Sequence, residues 1–199
     1  MKLYSGKEKI FPEIISINGE NFEINADFRN ILRIFSMIKD RNISDLKKCL
    51  KLREYFIRDS DCLEMVEIIE AFSDFVALEG TANQRYNGEN IETDKEQQFC
   101  YEFDGEEIYS SFLSEYKLDL IECSFLHWYK FKIMLASLSE ASIFKKKIAL
   151  RFMDLSSISR ELPEFSSILQ ARESVQLPYE NDSAEELDMR GFEEFWERV

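Results

Sequence analysis

The sequence predicts a mainly α fold, a bundle of about six to eight helices entered through a short β-hairpin, and three features carry that expectation. Apolar residues recur three and four positions apart over successive stretches, as one face of an α-helix requires. Gly and Pro number only six and three while Phe reaches 17, a balance that favours long helices over a turn-rich sandwich or barrel. One Asn-Gly pair, Asn18-Gly19, stands between two β-rich runs near the start, and this dipeptide suits the left-handed positions of a type I′ turn.

The hairpin spans Ile14 to Ile24, with Ile14, Ile15 and Ile17 before the turn and Phe22 and Ile24 after it. A first helix then carries Phe28, Ile31, Leu32, Phe35 and Ile38, behind Asn25 or Asp27 as its cap. Ser44 caps a second with Leu46, Cys49, Leu50 and Ile57 on its apolar face. Asp59 or Ser60 opens a third with Met65, Ile68, Ile69, Phe72, Phe75 and Val76. These elements make a first unit over residues 1–79, and the polar stretch that follows reads as an acidic linker or mobile loop over 80–101.

A second helical unit is expected over 102–178. Asp104 and Glu107 form an acidic variant of the capping box before Ile108, Phe112 and Tyr116. Lys117 to Asp119 break that stripe, and a fifth helix carries Phe125, Trp128, Phe131, Leu135 and Leu138. Ser139 caps a sixth with Phe144, Ile148 and Phe152, and Pro163 sits in the first turn of a seventh with Phe165, Ile168 and Leu169. After Leu177-Pro178, residues 179–199 form an acidic amphipathic tail helix with Leu187, Phe192, Phe195, Trp196 and Val199 spaced near three and four.

Charge and motif content narrow the function. A net charge of −14 repels phosphate backbones and anionic membrane surfaces, so neither nucleic acid nor membrane is an expected partner. No apolar leader or run of about 20 apolar residues is present, which points to the cytoplasm. The four cysteines, Cys49, Cys62, Cys100 and Cys123, are scattered without a CxxC pair and read as reduced thiols, mostly in the core. His127 is the sole histidine, so a catalytic triad or a histidine-rich metal site has no material to be built from. The dispersed glycines form no phosphate loop. Acidic pairs such as Glu106-Glu107 and the run Lys145-Lys146-Lys147 read as solvated helix faces. No enzyme, cofactor or metal is expected.

Two segments suit a protein partner. In His127-Trp128-Tyr129-Lys130-Phe131-Lys132, helical spacing sends Trp128 and Phe131 to the core with His127 as a polar neighbour, and leaves part of the string to face a partner. The tail, with Leu187, Phe192, Phe195 and Trp196, has the format of a helix that either enters a groove on a partner or folds back on its own chain.

From Asp104 to Arg151 the chain resembles the gene-product-fifteen family of siphophages. The resemblance rests on Phe103-Asp104, on Ile108 through Leu113, on Tyr116-Lys117-Leu118-Asp119-Leu120, on Leu126-His127-Trp128-Tyr129-Lys130-Phe131, and on Leu138 and Arg151. Asp27-Phe28-Arg29 extends it toward the N-terminus, so it covers most of the chain to about residue 170, leaving the tail after Leu177 unaligned. Lys117 stands where the family has Gly, which disfavours a left-handed turn and predicts a differently built junction; Tyr129 replaces a second Trp.

The resemblance implies a tail assembly chaperone encoded beside the tape measure gene. Such a protein acts in the host bacterial cytoplasm, holds the tape measure protein soluble, gives way as the tube forms, and is absent from the virion. The tape measure is then the partner, with the tail tube protein and a second copy of this chain as further candidates. Tyr116, His127, Trp128, Lys130, Leu187, Phe192, Phe195 and Trp196 are the candidate partner-binding residues. Two other readings stand beside it: a tail or neck component retained in the virion, and an acidic inhibitor of a host protein.

Overall fold

The computed structural model describes residues 11–86, 99–156 and 163–177, with side chains for all of these except 77–86 and 163–164. The expected tail helix over 179–199 and most of the expected linker lie outside the described residues. The described fold is mainly helical, seven helices behind one antiparallel hairpin, and divides into two compact units. The first contains residues 11–86 and 125–132; the second contains 99–124 and 133–177.

In the first unit, β1 (Ile14–Ile17) pairs with β2 (Glu20–Glu23) so that Ile17 faces Glu20. Asn18 at φ 53° and Gly19 at φ 85° make the left-handed turn that their side chains permit. Asn18 also donates a hydrogen bond to Glu67. Helix α1 (Phe28–Lys39) is capped by Asp27, whose carboxylate accepts from Arg29 N–H, and it buries Phe28, Ile31, Ile34, Met37 and Ile38.

Helix α2 (Asp45–Phe56) begins at Ser44 as expected, although the Ser44 side chain makes no capping bond; of its expected apolar face Cys49 and Ile57 are buried and the two leucines are not. Lys48, Cys49, Leu52 and Phe56 face inward, while Leu46 and Leu50 stand 72% and 52% exposed. Phe56 decides this: fully buried, it packs edge-on against Phe72 and beside Phe75, and together with Leu52 and Cys49 it outweighs the leucine pair in apolar area. Lys48 is tolerated inside because its ammonium reaches the α1 end and donates to Ile38 O at 2.6 Å.

Helix α3 (Met65–Tyr86) starts later than Asp59 or Ser60 and runs on through Gly80, into the stretch expected to be a loop. Asp59 takes a left-handed conformation at φ 51°, which cannot begin a helix. The start is set instead by Glu67, whose carboxylate reaches back to Glu64 N–H at 2.8 Å. Ile68, Ile69, Phe72 and Phe75 are its buried face.

The second unit holds α4 (Gly105–Tyr116), α6 (Ile143–Arg151) and α7 (Pro163–Ser174), with α6 packed between contacts to α4 and α7. Helix α5 (Trp128–Ala136) gives its first five residues to the first unit and the rest to the second. Ile108, Phe112, Leu120, Leu135, Leu138 and Phe144 form the second core. Phe125 lies before α5 and is exposed, contrary to its place in the expected stripe, and Phe152 ends α6 exposed.

Three further expectations are corrected here. Lys117 does adopt the left-handed conformation, φ 54° and ψ 29°, and its ammonium donates to Ser114 O at 2.7 Å. The cap of α6 is Ser142, accepting from Lys145 N–H, because Ser139 is taken up by Glu115, to which it gives both its N–H and its hydroxyl. Of the four free thiols only Cys49 and Cys100 are buried; Cys62 is exposed and Cys123 half-buried.

Candidate functional site

The residues that carry the resemblance are mostly spent on holding the chain together. Asp27-Phe28-Arg29 and Leu126-His127-Trp128 meet as an antiparallel bridge between Asp27 and His127. Phe28 N–H donates to Leu126 O at 2.9 Å and Trp128 N–H to Ala26 O at 2.7 Å. Asp27 takes both prongs of Arg29, at 2.9 and 2.8 Å, and accepts from Leu126 N–H at 3.3 Å. Burial pushes the Asp27 carboxyl up, but the Arg29 and Leu126 hydrogen bonds outweigh it and hold the group below its ordinary value. Phe28 stacks on Phe131 at 4.5 Å between ring centres.

His127 is buried, and its ring is fixed at both nitrogens. Nδ1 accepts from Tyr129 N–H at 3.1 Å, which leaves the proton on Nε2 to be donated to Pro12 O at 3.0 Å. Phe11, Phe75, Phe125 and Tyr129 surround it. Burial lowers its pKa against the opposing pull of Pro12 O and Glu13, so the neutral imidazole is the packed form. Trp128 is 1% exposed. His127 and Trp128 are therefore core members in this fold, and Lys130 is the exposed residue of that trio. Tyr116 is half-buried and donates its hydroxyl to Met134 O at 2.8 Å.

The second unit is tied by a buried ionic cluster. Asp104 is fully buried, and each of its oxygens is engaged: Oδ1 by Arg151 at 2.8 Å and Lys147 at 2.9 Å, Oδ2 by Cys100 N–H at 3.0 Å and Arg151 at 3.2 Å. It holds the cap position of α4 but makes no side-chain cap, so the expected capping box is absent. Glu107 pairs with Lys147 at 2.9 Å, and Lys147 lies 4.5 Å from the centre of the Phe103 ring. Glu107 and Lys147 are thus paired with each other and are not the solvated surface their neighbours suggested.

Burial raises the Asp104 carboxyl, yet Arg151, Cys100 N–H and Lys147 outweigh it and hold it below its usual range. Burial lowers Lys147, while Asp104 and Glu107 outweigh that and raise it. Opposite shifts on the two partners describe a locked ion pair, not an acid or base poised to exchange protons. Arg151 extends the tie to the C-terminal side by donating to Val175 O at 2.7 Å, and its own carbonyl accepts from Arg172 at 3.1 Å.

The outer face of α2 is exposed and apolar. Leu46 and Leu50 stand one turn apart, the one place among the described residues where two exposed large apolar side chains share a helix face. Lys47 and Lys51 flank them, and beyond Leu50 an open cleft of about 310 Å³ is lined by Arg53, Glu54, Ile57, Asp59, Ser60 and Asp61. Sequence reasoning assigned these leucines to the core; the signal that separates the two registers is Phe56, in line with Cys49 and Leu52 and out of line with Leu46. Leu187, Phe192, Phe195 and Trp196 lie outside the described residues. Among the described residues no group of three metal-ligating side chains assembles, and no helix is long and apolar enough to cross a membrane.

The described residues build two small helical cores, each closed by a tie between distant segments, with one apolar helix face left outward. A family model described as Bacteriophage Gp15 protein matches residues 8–177, and the chain belongs to that family of phage structural or morphogenesis proteins. No curated protein and no solved structure matches it.

Proposed function

We propose that this protein is a non-enzymatic tail assembly chaperone that binds the phage tape measure protein and keeps it soluble in the host cytoplasm until the tail tube forms around it. The observation that carries the reading is the family match over residues 8–177. The outward Leu46 and Leu50 support it, because they offer an apolar helix face on which an amphipathic tape measure segment can rest. The acidic body supports it further, since a charge of −14 keeps a complex of many copies dispersed.

Co-expression with the neighbouring tape measure protein, followed by solubility and light-scattering measurements, tests the reading. The expected result is a soluble complex with several copies of this chain per tape measure. A tape measure that precipitates while this chain stays free overturns it and favours a component retained in the virion, which mass spectrometry of purified particles would then detect.

A further inference from the structure

The chain is acidic overall, but its charge is not evenly spread. Residues 39–58, the end of α1 and the whole of α2, hold seven Lys and Arg against three Asp and Glu, a local charge of +4. Residues 179–199 hold eight Asp and Glu against two Arg, a charge of −6. The first stretch presents Leu46 and Leu50 to the outside, rimmed by the exposed Lys47 and half-buried Lys51. Lys51 is steadied by Tyr55, whose hydroxyl lies 3.3 Å from its ammonium, and Arg33 lies over the same ring at 5.6 Å. The second stretch puts Leu187, Phe192, Phe195 and Trp196 at helical spacing among its carboxylates.

An apolar strip edged by cations and an apolar stripe edged by anions are complementary in both respects that decide helix docking, area and charge. From these observations we infer that the chain's own segment 179–199 docks on the Leu46 and Leu50 face of α2, with its apolar residues on the leucines and its carboxylates toward Lys47, Lys51 and Arg33. A partner helix that uses the same face competes with this segment for it. The inference stands on the exposed face and the two local charges and is independent of what the partner is.

The test uses the full chain and its two tryptophans. Trp128 is sealed in the core, so acrylamide quenching of intrinsic fluorescence reports Trp196. Docking predicts a shielded, blue-shifted Trp196 in the wild type at all protein concentrations, and a severalfold rise in quenching with a red shift in Leu46→Asp/Leu50→Asp. Leu113→Asp, at an exposed apolar position in the second unit, leaves the signal unchanged. A second variant, Lys47→Glu/Lys51→Glu, also exposes Trp196, and the added change Glu193→Lys/Glu194→Lys restores shielding. Near-UV circular dichroism of Trp128 checks that each variant is folded. Free quenching of Trp196 in the wild type, or shielding that survives both α2 variants, overturns the inference. Shielding that appears only as concentration rises overturns it as well, by placing the tail on another copy.

Discussion

Asp27 and Asp104 look alike in the sequence, each an aspartate just before a helix, and they are used in opposite ways. Asp27 has extended backbone, ψ 131°, and turns its carboxylate onto its own helix, accepting from Arg29 N–H. Asp104 has ψ 12°, leaves its helix uncapped and points into the second unit, where Arg151 and Lys147 wait on α6. The Arg29 side chain is 37% exposed, whereas that of Arg151 is 2% exposed. A cap whose arginine is open to water can lose its charge partner cheaply, even though it also accepts from Leu126; a carboxylate sealed with two cations is a tie whose loss strands charge in the interior.

The largest effect is therefore expected at Asp104. Asp104→Ala strands the buried Arg151 without its carboxylate and leaves Lys147 with Glu107 alone, and should cost about 3–5 kcal/mol in urea unfolding. Because its folded pKa lies below the ordinary 3.8, the unfolded chain takes up the proton first, so this contribution is present above pH 3.8 and fades as pH falls through the folded value. Asp104→Asn should remove that acid limb from a stability–pH curve. Asp27→Ala loses a cap and the Leu126 contact, and about 1–2 kcal/mol is expected by the same measurement. Equal losses at the two sites would erase the distinction between local cap and buried tie.

Two smaller tests sharpen it. His127 sits beside the Asp27 bridge with its pKa lowered, so the unfolded chain binds the proton more readily and stability should decline as pH drops below the ordinary 6.5. Thermal melts of His127→Phe should show no decline over that window. Lys117→Gly should add about 0.5–1 kcal/mol, since glycine takes the left-handed conformation without the Cβ penalty that lysine bears. A loss instead would mean that the Lys117 bond to Ser114 O outweighs the backbone strain.

What the sequence made legible follows the distance between interacting residues. The hairpin and the α1 cap are set by neighbours, so Asn18-Gly19 could be read directly and the cap narrowed to Asn25 or Asp27, of which the structure uses Asp27. The α2 register could not, because four lysine and arginine residues interleave with its leucines and only the depth of Phe56 against Phe72 settles the matter. The role of Asp104 was hidden for the same reason: Arg151 lies 47 positions away, and a local capping box was the nearer explanation. The candidate partner residues divide likewise. His127 and Trp128 had the spacing of core and proved buried, while the outward Leu46 and Leu50 emerged only with the tertiary packing.

The bridge between Asp27 and His127 also bears on how this protein is made. Leu126 donates to an aspartate 99 positions earlier, and Phe131 stacks on Phe28. The first unit therefore cannot be finished until residue 132 has left the ribosome, after most of the α4 region has already emerged. Closing so long a loop is entropically slow compared with forming the hairpin or α1. A nascent chain stopped near residue 98 would carry Phe28 and Phe35 without the Phe131 and Trp128 that pack on them. During translation, the half-made chain holds apolar rings that only its later residues can cover.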